Sequence, residues 1–447
     1  MNCREEVAAA VDELAQFAIG TEFDDLPGDV IERMEIMLID LFGVTAAGAH
    51  TNELIAIQRA WTPRVGEVRI IGTDKSTDAE TAAYLNAIAS CALELDEGNK
   101  HARGHPAAHV VFAAIAAAQL SGVEISGREF LRAVAIGYEV AARFGRALTL
   151  QDGWHTHGHW GATGAACAAG LIWGLQPKEL ASAIDAATGL IHVTPWETVT
   201  GGNFVRNLWV AGANIAGLNA CRLATAGVVS NSGNAAVSLG GLVGTLRPHE
   251  ITRGLETEWL ASQGYMKLHS SCSYTHAAVD IILQLKKTHS LTPEEIESID
   301  IRTNSLPRRL FSTVAHNRLS AMFSFPFVAA AALCSGQVDP GTMDSRNPNF
   351  GSINAVSRKV RLHIKPEFDS KLPQERWTEV EITLVNGQTI QAAQPNPRGD
   401  RDFSPLGREE VRTKLISLIG TFDTTQIVTS VGNISGHHNI VDVLSDL

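Results

Sequence analysis

Three histidines stand at alternating positions in the segment 153–166, whose sequence is GWHTHGHWGATGAA. On a β-strand, His155, His157 and His159 would share one face, an arrangement that can hold a divalent metal ion. The surrounding glycines instead favour a loop that leads into a helix at Gly161, where free backbone N–H groups and the helix dipole attract anions. The segment therefore leaves three interpretations open: a metal site, a proton-transfer or anion-binding site, and a structural aromatic loop.

The metal interpretation lacks supporting ligands elsewhere in the sequence. Zinc and related ions need a third or fourth ligand at a defined spacing, and the chain contains neither an HExxH motif nor a Cys/His cluster near the three histidines. We therefore expect no metal. A metal-dependent hydrolase built on the HxHxH run is kept as the alternative from a different class of protein.

A second segment, 93–109, gathers acids, bases and cations directly before a helix that Pro106 can begin; it reads LELDEGNKHARGHPAAH. The N-terminus of a helix disfavours a cationic imidazole, so His105 is predicted to be a neutral base at physiological pH. A solvated, charge-rich loop is the alternative interpretation. The apolar helices predicted on both sides favour a loop near the core.

Two further segments carry basic residues in unusual surroundings. Arg206 lies in the apolar stretch TGGNFVRNLW, which lacks the spacing and the lysine of a P-loop, so it does not indicate nucleotide binding. A buried arginine needs a carboxylate, which the protein or a ligand can supply. Lys267 and His269 open the segment MKLHSSCSYTHAAVD, in which His276 and Asp280 are four residues apart on one predicted helical face. This segment falls at a predicted domain boundary, where ligand sites are common.

The elements that must position these residues are mostly helical in the first part of the chain. Residues 1–265 read as a series of helices with faces rich in alanine and glycine, which let helices approach closely. Their starts are well marked, with a capping box at Ser126 and a proline at the first helical position of the helix that begins at Pro177. The pattern predicts a large all-helical domain.

The pattern changes near residue 266. Residues 266–400 contain alternating, β-branched segments together with helices, and Asn386-Gly387 is a strong hairpin signal. These features predict a smaller α+β domain. Residues 401–447 return to a helical pattern, and we expect them to pack back on the first domain. The predicted fold class is mainly α with an α+β second domain.

Composition excludes several classes of partner. Apolar residues make up 45% of the 447-residue chain, and its formal net charge is −12, which disfavours binding to nucleic acid or to an anionic membrane surface. No apolar run approaches the ~20 residues that span a bilayer, and the start of the sequence does not resemble a signal peptide. The widely spaced cysteines form no CxxC pair and are expected to be reduced core residues. We predict a cytoplasmic protein.

Taken in order, these segments resemble the MmgE/PrpD family over nearly the whole chain. The resemblance runs through LIDLFGVTAAGA, LELDEGNKHARGHPAA, HTHGHWGATGAACAA, FVRNLWVAGANIAGL, MKLHSSCSYTH and AMFSFPFVAAAALCSG. It implies a large helical domain completed by the C-terminal tail, a smaller α+β lid, an active site between them, a homodimer, and no metal or organic cofactor.

The resemblance also implies roles for individual residues. The acidic position before the His-Pro element matches Asp96, or Glu94 if a one-residue insertion lies later, and the two family histidines match His105 and His155. One family lysine is retained as Lys267. We therefore expect the catalytic residues to be Asp96, His105, His155 and Lys267, and the substrate-binding residues to be Arg206, which replaces a second family lysine, His101, Arg103, His157 and His269.

Departures from the family pattern bear on the reaction. The chain has Ser270 where the family usually has proline and Phe327 where it often has tyrosine, and His157 and His159 are additional. Reactions of the family make or quench a carbanion next to a carboxylate. Dehydration needs an acid for the leaving hydroxyl, whereas epimerisation needs only one proton donor and one acceptor, so the loss of a phenol at Phe327 favours epimerisation.

The prediction is thus an isomerase: an epimerase that acts on the carbon α to a carboxylate of a small polycarboxylate, with iminodisuccinate as the favoured substrate. Within the same family, a dehydratase of the 2-methylcitrate type and a decarboxylase of the cis-aconitate type are the alternatives, and both are lyases.

Overall fold

The computed structural model describes residues 3–61, 65–311 and 314–445. The α-helices are α1 (Cys3–Gly20), α2 (Gly28–Ala49), α3 (Asn52–Ala60), α4 (Ala79–Cys91), α5 (Pro106–Leu120), α6 (Gly127–Ala147), α7 (Gly161–Ile172), α8 (Pro177–Ala187), α9 (Trp196–Thr200), α10 (Val205–Thr225), α11 (Asn234–Val237), α12 (His249–Thr252), α13 (His276–His289), α14 (Arg318–Met322), α15 (Phe325–Ser335), α16 (Phe350–Ser357), α17 (Pro366–Asp369), α18 (Arg408–Val431) and α19 (Ile440–Ser445). The strands are β1 (Val68–Arg69), β2 (Ser76–Thr77), β3 (Gly98–Asn99), β4 (Leu148–Leu150), β5 (Gly244–Leu246), β6 (Gly264–Tyr265), β7 (Ile296–Thr303), β8 (Val360–Ile364), β9 (Thr378–Leu384) and β10 (Thr389–Gln394).

The large helical part is built around α7, which packs against α5, α6 and α10. Small residues make this possible: a Cβ atom on Gly164 of α7 would lie 2.3 Å from the carbonyl oxygen of Gly137 on α6, so only glycine fits there. The predicted starts are confirmed, because the Ser126 side chain accepts a hydrogen bond from the backbone of Glu129, and α8 begins at Pro177. Close helix packing of this kind follows directly from the alanine- and glycine-rich faces.

The smaller part contains a four-stranded sheet in the order β10-β9-β7-β8. Strands β7 and β8 are parallel, whereas β9 pairs antiparallel with both β7 and β10. The turn between β9 and β10 contains Asn386 and Gly387, the latter at φ 84°, which confirms the predicted hairpin. Helices α13, α15 and α16 complete this part. A mainly helical chain with an α+β second part is the fold class that the sequence predicted.

Two apolar cores correspond to these two parts. The larger core contains residues of the first helices and also Val411 and Leu415 of α18, which packs against α2. The smaller core contains the sheet and its helices, and it also takes in Val199 and Trp209 from the segment that the sequence assigned to the helical domain. Helix α9 and the start of α10 therefore contact the smaller part.

A two-stranded pairing brings two distant segments of the chain to one place. Strand β3 (Gly98–Asn99) pairs antiparallel with β6 (Gly264–Tyr265), so the charged segment before α5 lies beside the residues that lead to Lys267. Across the described ranges, none of the helices combines the length and the apolar composition that crossing a bilayer requires.

Candidate active site

A cleft of about 1170 Å³, counting its open mouth, is lined by residues of both parts of the chain. From the helical part, Glu94, His105, His155 and Arg206 reach it. From the smaller part, Phe323 lines it, and its ring lies 5.1 Å from the guanidinium carbon of Arg206. Cys272 of the fourth segment lines it as well, so the cleft brings together residues from all four of the segments that the sequence singled out.

The base of the cleft is a buried cluster of two acids and two cations. Glu94, at φ 53° in the loop after α4, is ion-paired with Arg206 of α10 and accepts a hydrogen bond from Nζ of Lys267 at 3.2 Å. The same Nζ lies 3.3 Å from Oδ1 of Asp96. All four side chains are almost completely inaccessible to solvent. The cluster is therefore close to electrically neutral.

Lys267 is a fixed positive charge in this cluster. Burial alone would lower its pKa, but the carboxylates of Asp96 and Glu94 outweigh burial and raise it. A raised pKa suits Lys267 to act as a point charge rather than as a base. Lys267 and Asp96 do not themselves line the cleft; they act on it through Glu94 and His105.

His105 is held in a defined orientation at the start of α5. Its Nδ1 contacts the carbonyl oxygen of Glu97 and lies 3.3 Å from Oδ2 of Asp96. Burial and the nearby charge of Lys267 hold the pKa of His105 well below its usual range. A neutral ring that donates from Nδ1 keeps a lone pair on Nε2. His105 is thus arranged as a proton acceptor, and Asp96 is placed to stabilise the imidazolium that follows.

His155 has the opposite arrangement. Its backbone is fixed by Thr194, whose carbonyl oxygen accepts from N of His155 at 2.6 Å. Its Nδ1 accepts a hydrogen bond from N of His157 at 3.3 Å, which places the ring proton on Nε2. Burial and the charge of Arg206 hold the pKa of His155 well below its usual range, so the ring is neutral and presents a donor.

His157 lies between the two catalytic candidates. Its ring centroid is 5.0 Å from that of His105 and 4.5 Å from that of His155, in edge-on geometry. It lines the cleft and is fully buried, and neither ring nitrogen has a hydrogen-bond partner among the described residues. The structure therefore leaves His157 available to a ligand.

Two other histidines hold the loop in place. Nε2 of His159 donates to the carbonyl oxygen of His155 at 2.8 Å. His109 of α5 donates from Nδ1 to the carbonyl oxygen of His105 at 2.7 Å and accepts from N of Gly158 at 3.1 Å. His109 was not predicted as a site residue, although its position four residues after His105, at the start of the same helix, was the available signal.

The three alternating histidines do not form a metal site in this structure. In the described ranges, no group of three or more His, Cys, Asp or Glu side chains converges in a way that would hold a metal ion. The run lies in a loop, and α7 begins at Gly161 as the glycines indicated. The geometry gives no support to the metal-dependent hydrolase.

The remaining predicted binding residues are distributed unevenly. Arg103 lines the cleft, and its Nη2 donates to the carbonyl oxygen of Leu148 at 2.5 Å. His101 lies in an adjoining cavity rather than in the cleft. His269 lies outside the lining of both cavities, because its Nε2 pairs with Oδ1 of Asp280 at 2.9 Å. His276 and Asp280 both lie on α13, as the predicted helix required, and the carboxylate of Asp280 binds His269.

The departures from the family pattern are also located. Ser270 donates to the carbonyl oxygen of Leu93 at 2.6 Å, so the serine ties its segment to the loop that carries the acids. Phe327 is fully buried against Phe350 in the smaller core and does not line the cleft. The missing phenol at Phe327 therefore does not favour epimerisation over dehydration.

Tyr265 and Arg376 are among the cleft residues that sequence reasoning missed. Tyr265 lines the cleft and donates from its hydroxyl to Oγ of Ser273 at 2.8 Å. Arg376 lines it from the smaller part. Tyr265 is two residues before Lys267 and was within reach of an alternation argument, whereas no local pattern marks Arg376.

The acidic loop has a further support from the C-terminal helices. Nζ of Lys414 on α18 donates to Oδ1 of Asp40 at 2.7 Å and to the carbonyl oxygen of Leu95 at 3.0 Å. Leu95 lies between Glu94 and Asp96. The tail therefore holds the loop from behind.

The fold and the cleft define a mainly helical protein with a second α+β part and a buried cluster of acid–base residues where the two meet. The model of the MmgE/PrpD N-terminal domain matches residues 12–253, and that of the MmgE/PrpD C-terminal domain matches residues 269–429. The chain belongs to the MmgE/PrpD family.

Relatives with curated names cover most of the chain. It is 25% identical to the cis-aconitate decarboxylase-like protein oryM of Aspergillus oryzae, over 90% of this chain and 89% of that protein. It is 24% identical to a cis-aconitate decarboxylase of Aspergillus terreus, over 92% of this chain and 89% of that protein. It is 24% identical to the cis-aconitate decarboxylase of Mus musculus, over 88% of this chain and 83% of that protein.

Proposed function

We propose that this protein is a lyase that acts on a small polycarboxylate and forms and protonates a carbanion next to a carboxylate. Decarboxylation of cis-aconitate or a similar tricarboxylate is the reaction to test first. Relatives named as cis-aconitate decarboxylases over about nine-tenths of the chain support this choice of class.

The observation that carries the proposal is the environment of His105. Its Nδ1 is fixed by Glu97 and Asp96, and its Nε2 is left for a ligand in a cleft that also contains Arg206. A polyanionic substrate brings negative charge to the ring and raises its pKa, so substrate binding is accompanied by uptake of a proton. Asp96 stabilises the imidazolium so formed.

Decarboxylation then proceeds in two steps within the cleft, loss of CO₂ and protonation of the resulting carbanion. The bond between carbon and the departing carboxylate breaks, CO₂ leaves, and in cis-aconitate the electron pair delocalises through the adjacent double bond to the carbon next to one of the two remaining carboxylates. The imidazolium of His105 donates its Nε2 proton to that carbon and returns to the neutral form. Fixed donors and charges in a dry site stabilise the carbanion, and a positioned acid of this kind contributes about 10²–10⁴-fold.

Epimerisation is the second candidate. His105 presents an acceptor and His155 a donor, and both rings pack against His157, so a proton can be taken and returned by different residues. The missing phenol at Phe327 favoured this reaction in the sequence, but Phe327 lies outside the cleft. What favours it now is the complementary arrangement of the two rings.

Incubation with cis-aconitate, 2-methylcitrate and iminodisuccinate, each in deuterated water, separates the candidates. We expect release of CO₂ from cis-aconitate, and NMR should show one deuterium from the solvent in the product. His105→Gln should abolish the reaction, whereas His269→Gln, which alters a buried histidine outside the cleft, should retain it. Exchange and altered stereochemistry with iminodisuccinate alone, without CO₂ or alkene formation from the other two, would replace the lyase with the epimerase.

A further inference from the structure

The cations expected to hold the substrate are already compensated. Arg206 is paired with Glu94, and Lys267 with Glu94 and Asp96. A substrate with two or three carboxylates brings additional negative charge into a cleft whose base is close to neutral. Because an uncompensated charge is costly in a buried site, further cations are needed.

Arg376 is a buried cation in the cleft without an anionic partner. Its side chain is only 6% exposed, and no carboxylate of the described residues lies within ion-pair distance. Its guanidinium lies 5.2 Å and 5.4 Å from the ring centroids of Tyr265 and Tyr274. Nη1 is 3.4 Å from Oγ of Ser273, and Nε is buried with no hydrogen-bond partner. The contacts around it are therefore neutral, and one donor is unused.

The backbone of Arg376 is rigidly placed. Its N–H donates to the carbonyl oxygen of Pro395 at 2.7 Å and to Oδ1 of Asn396 at 3.0 Å, just before β9 begins. The sheet of the smaller part thus positions this side chain towards the helical part. An arginine held in this way is suited to bidentate binding of a carboxylate.

Arg103 lines the same cleft from the helical part. It adopts φ 54° in the loop before α5, and its Nη2 donates to the carbonyl oxygen of Leu148, with no ion pair within the described residues. Arg103 and Arg376 both line the adjoining cavity as well, so they stand where the two cavities meet. At the mouth, by contrast, Arg308 and Arg309 are both paired with Asp152.

We propose that Arg376 and Arg103 form a second carboxylate-binding subsite, which selects substrates that carry a carboxylate remote from the reacting carbon. The proposal rests on the proposed function for its substrate class and extends it to tricarboxylates over dicarboxylates. A bound carboxylate would satisfy the free Nε of Arg376 and connect the two parts of the chain across the cleft.

Equilibrium binding of two unreactive probes tests the subsite without turnover. Tricarballylate carries three carboxylates, and succinate keeps two of them; their affinities are measured by calorimetry. We expect the wild-type protein to bind tricarballylate more tightly than succinate, and Arg376→Gln to reduce this ratio by about 10- to 100-fold, the worth of charge-assisted hydrogen bonds. Arg376→Lys keeps the positive charge but loses the planar guanidinium that binds a carboxylate through two hydrogen bonds. Its affinity ratio should therefore lie between those of the wild type and Arg376→Gln.

Arg308→Gln is the matched control, because it removes an arginine of the same cleft that is already paired; it should leave the ratio within about threefold. Circular dichroism and melting curves show whether each variant is folded. If Arg376→Gln does not fold, the same affinity ratio is measured for Arg103→Gln, because Arg103 is less buried and its replacement disturbs the fold less. No preference in the wild type, or an unchanged ratio in the folded variants, would overturn the subsite. If the protein shows no lyase activity but Arg376→Gln reduces the ratio of tricarballylate to succinate affinity as expected, only the proposed reaction would be overturned.

Discussion

The carboxylate of Glu94 forms an ion pair with the guanidinium of Arg206, and the two side chains are 1% and 0% exposed. One lies in the loop after α4 and the other near the start of α10, so the pair joins segments that are far apart in the sequence. Glu94 also binds Lys267. Its charge therefore stabilises two buried cations at once.

Removal of this carboxylate should destabilise the fold. Glu94→Gln leaves two cations in a dry environment, and breaking a buried pair in this way costs about 3–5 kcal/mol. The measurement is urea and thermal unfolding. Asp24→Asn is the control, because Asp24 pairs with Arg128 on the exposed surface and its loss should produce no measurable change. Equal effects of the two substitutions would contradict the structural importance of the buried pair.

The pH dependence of kcat/KM should distinguish acid from base chemistry at His105. Burial and Lys267 hold the pKa of this ring well below its usual range, so the free enzyme is neutral there around pH 7. If the ring must take up a proton with the substrate, kcat/KM rises as the pH falls from about 8 to about 6, by up to about tenfold per unit. If the neutral ring is the initial base, kcat/KM falls instead at the acid end. A rise supports the lyase, and a fall the epimerase.

Lys267 should control the position of this profile. Lys267→Met removes a charge that lowers the pKa of His105 and leaves Asp96 without its cation, and both changes raise the pKa. We expect the pH-dependent region of the residual activity to move to higher pH. Lys267→Arg keeps the charge and should leave it close to the wild-type position. A profile that does not move in the methionine variant would show that Lys267 does not set the protonation of the ring.

His109 should behave as a structural residue, unlike His105. His109→Leu removes two buried hydrogen bonds, one to the carbonyl oxygen of His105 at the start of α5 and one from the backbone N–H of Gly158 in the histidine loop, and a loss of roughly 1–3 kcal/mol of stability is expected. The residual activity should keep the wild-type pH profile. His105→Gln should instead reduce kcat by about 10²–10⁴-fold while the protein remains folded. The two variants are compared by unfolding curves and by kinetics on the same preparations.

Chelation provides a test of the metal alternative. Dialysis against EDTA should leave the melting temperature and the activity unchanged, because no group of three or more His, Cys, Asp or Glu side chains in the described ranges converges to hold a metal ion, and Nε2 of His159 already donates to the carbonyl oxygen of His155. Elemental analysis before dialysis should find far less than one equivalent of zinc. A stoichiometric metal whose removal abolishes activity would restore the HxHxH interpretation.

Local signals in the sequence were sufficient for much of the fold. The capping box at Ser126, the proline at the start of α8 and the hairpin at Asn386-Gly387 are each determined by a few adjacent residues, and the structure has them where expected. Periodicity likewise distinguished the helical part from the part with the sheet. These features depend on backbone preferences that act over short distances.

The site depended on information that local patterns do not contain. Arg376 is marked by no motif, because its importance comes from tyrosines about one hundred residues earlier in the chain. The spacing of His276 and Asp280 correctly placed both on one helix, but it did not indicate that the Asp280 carboxylate binds His269 and the backbone N–H of Arg398. The spacing of residues along a helix indicates which side chains share a face, whereas packing between distant segments determines which hydrogen bonds those side chains form.

The bond from Lys414 to the backbone of Leu95 has a consequence for biosynthesis. The two residues are separated by 319 positions, so a growing chain must be extended through α18 before the acidic loop has its anchor. Until then, the face of α2 that α18 covers is exposed to solvent, and such partly built species are prone to aggregate. We therefore expect ribosome-bound chains that stop before α18 to be good clients for chaperones.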